Sequence, residues 1–237
     1  MTPEEFTPRI RLWRNLALAA LAPLTAFFLL WPETDIAFSR LFTDMQGNFA
    51  YRDGLWHLMR MAIWNLTVIA ALAGLAALVI ALLRRDRART RLWGFVTLSF
   101  ALGPGLLVNG MLKNHWGRAR PQAVEAFGGT AEFTPPVLPA DQCLQNCSFV
   151  SGEAAGAVTL ALTAWLLLVP HLALRGRLTL GLALGAVALW GSLMRVMAGR
   201  HFLSDVLFAA DLMIILVLSL YLWLDVARAQ AGGPDKA

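Results

Sequence analysis

The sequence predicts an all-α polytopic membrane protein, a six-transmembrane-helix bundle with N- and C-termini cytoplasmic. Three observations carry that reading. Of 237 residues, 58% are apolar and only 15% charged, with a mean hydropathy of +0.60. Soluble domains run at about 45–50% apolar and about 25% charged, so this excess cannot be hidden in one soluble core, and disorder is excluded by the same numbers. Five stretches lack Asp, Glu, Lys and Arg altogether: 15–32, 61–83, 92–112, 154–174 and 178–194. Each approaches or reaches the roughly 20 residues with which a helix crosses the hydrocarbon core. Finally, with the N-terminus inside, inner segments hold twelve Lys and Arg and outer segments eight, Arg52 and Lys236 included. That bias sets both termini on the cytoplasmic side.

The elements follow in order as spans of about 15–32, 61–83, 92–112, 151–174, 178–197 and 202–224, within a single domain of 1–237. Arg9, Arg11 and Arg14 precede the first span. Pro-Glu-Thr-Asp follows Trp31 in place of a small-residue cleavage pattern, so a retained helix is expected rather than a signal peptide. Residues 33–60 form a mixed outer loop, with a short interfacial helix expected around Phe49–Met59. Arg84, Arg85, Arg87, Arg89 and Arg91 crowd the next turn, which locks topology and meets anionic headgroups. The outer loop 113–150 is broken by Gly128-Gly129, Pro135-Pro136 and Pro139. The sixth span is apolar except for Asp205 and Asp211; the latter is read as a structural hydrogen-bonding group between helices, as is Asn109 in span three. A pI near 10 would suit nucleic acid, but in a membrane protein excess Arg answers first to topology, and no nucleic acid partner is expected. Nothing in the sequence reports oligomeric state.

Cys143 and Cys147 are the two cysteines, both in the outer loop. Outside the cytoplasm a disulfide is permitted and would brace the segment leading into Ser148–Ser151; a pair of free thiols is the alternative. Two cysteines without a nearby histidine make a poor metal site.

Chemistry concentrates at one membrane face. Span three leads into Lys113-Asn114-His115-Trp116-Gly117-Arg118-Ala119-Arg120-Pro121, span four opens at Ser151-Gly152-Glu153, span five ends in Arg195, and span six begins after Arg200-His201. Helical connectivity brings all four to the outer end. Cations gathered beside hydrocarbon repel one another and imply an anionic partner. Ser151 as N-cap, with the free N–H groups of a helix start, makes an anion site. Lys113, Arg120 and Arg195 supply charge for phosphate oxygens. Asp205, four residues after His201, has the spacing to fix an imidazole tautomer, and an oriented neutral imidazole is a nucleophile or base. The pattern points to phosphoryl transfer on a lipid.

These residues resemble the type 2 phosphatidic acid phosphatase (PAP2) superfamily. Lys113 to Pro121 fits its K-x6-R-P motif, Ser151-Gly152-Glu153 its P-S-G-H motif, and Arg195-x5-His201-x3-Asp205 its S-R-x5-H-x3-D motif. The resemblance implies six spans, a metal-independent mechanism without cofactor, and a phosphohistidine intermediate. It makes His201 the nucleophile and Asp205 its orienting partner. Lys113, Arg120, Arg195, Ser151 and the Gly152 amide become the phosphate-binding groups. Arg118 and Arg200 lie in the motif spacers, with phosphate contact and a solvated or headgroup role both open. The implied activity is removal of a phosphate from a lipid phosphate or diphosphate at the periplasmic face of a bacterial inner membrane. Undecaprenyl diphosphate, lipid A phosphate, phosphatidylglycerophosphate and phosphatidic acid are the candidate substrates. A phosphotransferase using the same intermediate and a non-catalytic lipid-phosphate binding protein are the alternatives.

Val150, Met194 and Glu153 depart from the motifs. Glu153 matters most, because it stands where the family carries a histidine regarded as the acid for the leaving oxygen. The expectation here is a substrate whose leaving group needs little protonation, such as a diphosphate or an anomeric phosphate, with Glu153 positioning or deprotonating water. The competing reading has His115 or His57 supply the proton.

Overall fold

The structure, a computed structural model, describes residues 3–51 and 53–231. Arg52 and Lys236, counted above for orientation, lie outside the described residues. The spans are α1 (Pro3–Leu30), α3 (Leu55–Leu83), α4 (Arg87–His115), α5 (Gly152–Leu168), α6 (Leu174–Met197) and α7 (Leu203–Trp223). The described residues also hold two short α-helices, α2 (Glu33–Arg40) and α8 (Val226–Gln230), and single 3-10 turns at Pro121–Ala123, Glu125–Phe127 and Val169–His171. No strand occurs among the described residues.

Four of the helices, α1, α3, α4 and α6, run longer than their charge-free stretches. α3 starts at Leu55 and α4 at Arg87, where Asp86 caps the helix by accepting from the Arg89 N–H at 3.0 Å. Arg and Lys near a helix end snorkel past the hydrocarbon, so the apolar run measures the membrane and not the helix. The short outer helix also moves: it forms at Glu33–Arg40, not around Phe49–Met59. Glu33 and Asp35 in its first turn and Arg40 in its last complement the helix dipole, whereas residues from Leu55 onward are already the first turns of α3.

α5 is the central helix, packed against α3, α4, α6 and α7. Its first turns carry Gly152, Ala154, Ala155, Gly156 and Ala157, all of them buried; small residues let neighbouring backbones approach closely. One apolar cluster, around Phe95, Phe100, Leu218 and Tyr221, fills the end of the bundle near α8. A second, around Phe28, Val108, Phe149, Phe208 and Met213, underlies the opposite end. The outward faces of α1 and α3 expose leucines, as a surface facing lipid does. Asp211 does not show the expected interhelical bond at Oδ2, which is buried without a partner among the described residues.

Candidate active site

The end of α4, the starts of α3, α5 and α7 and the end of α6 meet at one end of the bundle. α6 terminates on Gly199, whose φ of +65° is left-handed and therefore suited to glycine. The N–H groups of Arg200 and His201 both return to the Arg195 carbonyl, at 3.0 and 3.2 Å. A Cβ at 199 would collide with the Phe49 ring. This tight corner delivers His201 into the protein, where 1% of it is exposed.

The imidazole Nδ1 is 2.7 Å from the Ser148 carbonyl and 3.8 Å from Asp205 Oδ2. A carbonyl oxygen only accepts, so Nδ1 carries the proton and Nε2 keeps its lone pair. The immediate orienting partner is thus a backbone carbonyl, where the sequence suggested Asp205. Burial, assisted by the charges of Arg195 and Lys113 and opposed by Asp205, lowers the His201 pKa to about 4. The ring is neutral at neutral pH.

Asp205 works one bond further back. Its Oδ2 accepts from the Ser148 hydroxyl at 2.5 Å and from the Phe202 N–H at 2.8 Å; Oδ1 accepts from Arg118 Nη1 at 2.6 Å. Asp205 thereby holds Ser148, whose carbonyl holds His201. Arg118 is fully buried and donates also to Asp35 Oδ2 at 2.8 Å, Ser204 Oγ at 2.8 Å and the Thr134 carbonyl at 2.8 Å. Its guanidinium stacks 4.4 Å over the Phe202 ring. Neither role left open for Arg118, phosphate contact or solvated surface, matches this position, because the buried guanidinium makes four hydrogen bonds to protein acceptors. Asp35, from α2, receives the Ser204 N–H at 2.8 Å and hydroxyl at 2.5 Å. Burial raises its pKa, with Arg118 opposing. No sequence signal separated Asp35 from the other acids of its loop.

Beside this buried assembly lies a cavity of about 520 Å³, lined by Lys113, Arg120, Arg195, Arg200 and, unanticipated, Arg60. His201 is not among the lining residues and is buried behind them. Ser151 caps α5, its hydroxyl accepting from the Ala154 N–H at 3.3 Å while its own N–H binds the Asp205 carbonyl at 3.2 Å. Gly152 follows on the cavity wall: a Cβ there would lie 3.2 Å from Lys113 Nζ and 2.7 Å from Asn109 Oδ1. Asn109 thus lines the cavity, and its Nδ2 bonds Pro104 within its own helix instead of another helix. Arg120 donates twice to the Asn146 carbonyl, at 2.7 and 3.1 Å. Burial first, then the charge of Arg200, lowers its pKa. Cys143 and Cys147 are joined by a disulfide, with Cα atoms 5.6 Å apart.

Glu153 is engaged on both oxygens. Arg60 binds it in a fork at 2.7 and 2.8 Å, and Arg195 approaches to 3.4 Å. A carboxylate accepting from two guanidinium groups has no proton to give, which speaks against the acid role. His115 is exposed, its Nδ1 2.8 Å from Met111 O, and it is absent from the cavity lining; His57, three residues before Arg60 on α3, does line it.

A family model for the PAP2 superfamily matches residues 94–229, more than half the chain. The chain belongs to the PAP2 superfamily. A lipid A 4'-phosphatase of Rhizobium etli is 39% identical over 202 residues, covering 77% of this chain and 76% of that protein. Another of that name, from Rhizobium leguminosarum, is 36% identical over 77% of this chain and 84% of its own length. A third, from Francisella tularensis subsp. novicida, is 42% identical over 116 residues, about half of each chain. No solved structure matches. This PAP2 protein is an integral membrane lipid phosphatase, a phosphoric monoester hydrolase. Asp35 and Arg60 precede the segment that the family model covers, so the motifs gave no pointer to either.

Proposed function

We propose that the protein hydrolyses the 4'-phosphate of lipid A at the periplasmic face of the inner membrane, through a phosphohistidine on His201 Nε2 and without a metal. The observation that carries this reading is a neutral imidazole, its Nδ1 hydrogen pinned to Ser148, beside a cavity lined by five cations. The relatives named lipid A 4'-phosphatase supply the substrate. The Arg-rich turn at 84–91, at the opposite end of the bundle, supports the orientation.

Lys113, Arg120 and Arg195 hold the phosphoryl oxygens together with the first N–H groups of α5. The buried Arg195 Nε, which has no acceptor among the described residues, fits a phosphate oxygen. Nε2 attacks phosphorus in line, the bond to the sugar oxygen breaks, and the clamp stabilises the charge on the transferring group. Carbon 4' is not anomeric, so the leaving alkoxide needs a proton, contrary to the expectation of an undemanding leaving group. Glu153 being engaged, His57 is the donor that the cavity offers. It protonates the sugar oxygen, then takes a proton from the water that attacks phosphohistidine. The N–P bond breaks, and neutral His201 and inorganic phosphate result.

Purified protein in detergent, given lipid A with chelator present, is expected to release one phosphate per lipid. Mass spectrometry should locate the loss at 4', and His201→Ala should abolish it. Loss at position 1, activity that chelator removes, or full activity in His201→Ala would each overturn a stated part of the proposal.

A further inference from the structure

Asn146 touches two of the cations proposed above to bind phosphate, and a disulfide encloses it. Its backbone carbonyl receives both Arg120 donors, at 2.7 and 3.1 Å, and its Oδ1 lies 3.5 Å from Lys113 Nζ. It lines the same cavity. Its φ of +50° is left-handed, a conformation that Asn tolerates better than most residues. The bridge joins Cys143 to Cys147, so Asn146 sits within a small closed ring. At the end of the ring the Cys147 N–H binds the Lys113 carbonyl at 3.1 Å, and just beyond it the Ser148 N–H binds the Arg118 carbonyl at 2.9 Å. One short segment therefore reaches Arg120, Lys113 and, through Ser148, His201.

We propose that Asn146 is a positioning residue for the phosphate clamp, and that the Cys143–Cys147 bridge keeps it in that position. Without the ring, the left-handed turn at 146 is one of many conformations open to the segment. The Arg120 guanidinium then loses its paired acceptor and swings free of the phosphate site. Because the bridge persists only outside the reducing cytoplasm, the clamp assembles fully only on that side. Reduction adds two electrons and two protons to the bridge, giving two thiols, while a dithiol reductant closes to its own disulfide. Cys143 is half-buried, so a small reductant reaches it.

The inference rests on the phosphate site proposed above, and inorganic phosphate as the probe separates it from the choice of lipid. Calorimetric titration of phosphate into the full chain in detergent, before and after dithiol treatment, is expected to show affinity falling roughly tenfold on reduction, as loss of a charge-assisted pair would give. Helical circular dichroism should stay unchanged. Asn146→Gly, which keeps the left-handed turn, should bind within about threefold of wild type, whereas Asn146→Val, β-branched and intolerant of positive φ, should match the reduced protein. In turnover, the loss should fall on KM more than kcat. Equal affinity in the two redox states, or Val binding as tightly as Gly, overturns the proposal. So does loss of helical signal on reduction, which would make the bridge a brace for the fold. Absence of phosphate binding in either state overturns the functional reading along with it.

Discussion

Two halves of the site are built in opposite ways. Around His201 the polar groups are sealed: Asp35, Arg118, Ser148, Ser204 and Asp205 are all buried and bonded to one another. Around the cavity the charges stay partly open, the Arg60 and Glu153 side chains being 31% and 18% exposed. A nucleophile needs one fixed direction, and a saturated network in low dielectric supplies it. The clamp proposed for phosphate must admit and release an anion, and its cations are steadied by partners at the rim, Glu153 and Asn146, instead of being locked inside.

The largest effect should come from breaking the sealed half. Arg118→Met leaves Asp35 and Asp205 as adjacent buried carboxylates without their shared cation, a change worth about 3–5 kcal/mol. Thermal unfolding in detergent should fall sharply, and activity should be lost with the Ser148 carbonyl's position. A variant as stable as wild type would show that the network is not what holds this corner.

The open half should be more forgiving. Glu153→Gln keeps the shape but weakens the grip on Arg60 and Arg195, and kcat/KM is expected to drop about tenfold, the scale of one charge-assisted hydrogen bond. Arg60→Ala should cost a similar factor, and the double variant little more than either alone. If Glu153→Gln instead lost activity only on substrates with poor leaving groups, Glu153 would be the acid after all.

The smallest effect is a displaced titration. With its pKa lowered to about 4 from an ordinary 6.5, His201, the proposed nucleophile, stays neutral as pH falls until near 4, then protonates and loses its Nε2 lone pair. The sign for stability agrees: the unfolded chain takes up this proton first, so stability declines as pH drops from 6.5 toward 4 and levels off below. The ¹⁵N shift of the His201 ring, followed through a pH series, should turn over near 4. A midpoint near 6.5 would mean that the sealed half is wet.

Six spans were legible because hydrocarbon demands about 20 apolar residues in a row, a local property that charge-free runs report directly. The K-x6-R-P and R-x5-H-x3-D spacings were legible for a related reason: helix ends place residues that are near in sequence on a common face. Arg118 was misplaced because its motif position gives spacing but not direction. Arg60 and Asp35 were missed because their partners lie 93 and 83 residues away, and nothing local marks such a pair.

The sequence by itself determined that the chain spans a membrane six times and gathers its cations, His201 and Glu153 at one end, since hydropathy and helical connectivity are properties of the linear chain. Only the tertiary structure decided who holds whom: Ser148 and not Asp205 against the imidazole, Arg118 for the buried acids, Arg60 for Glu153. Each choice turns on differences of an ångström or so between donors and acceptors brought together by packing, and the strength of a hydrogen bond falls away over that same distance.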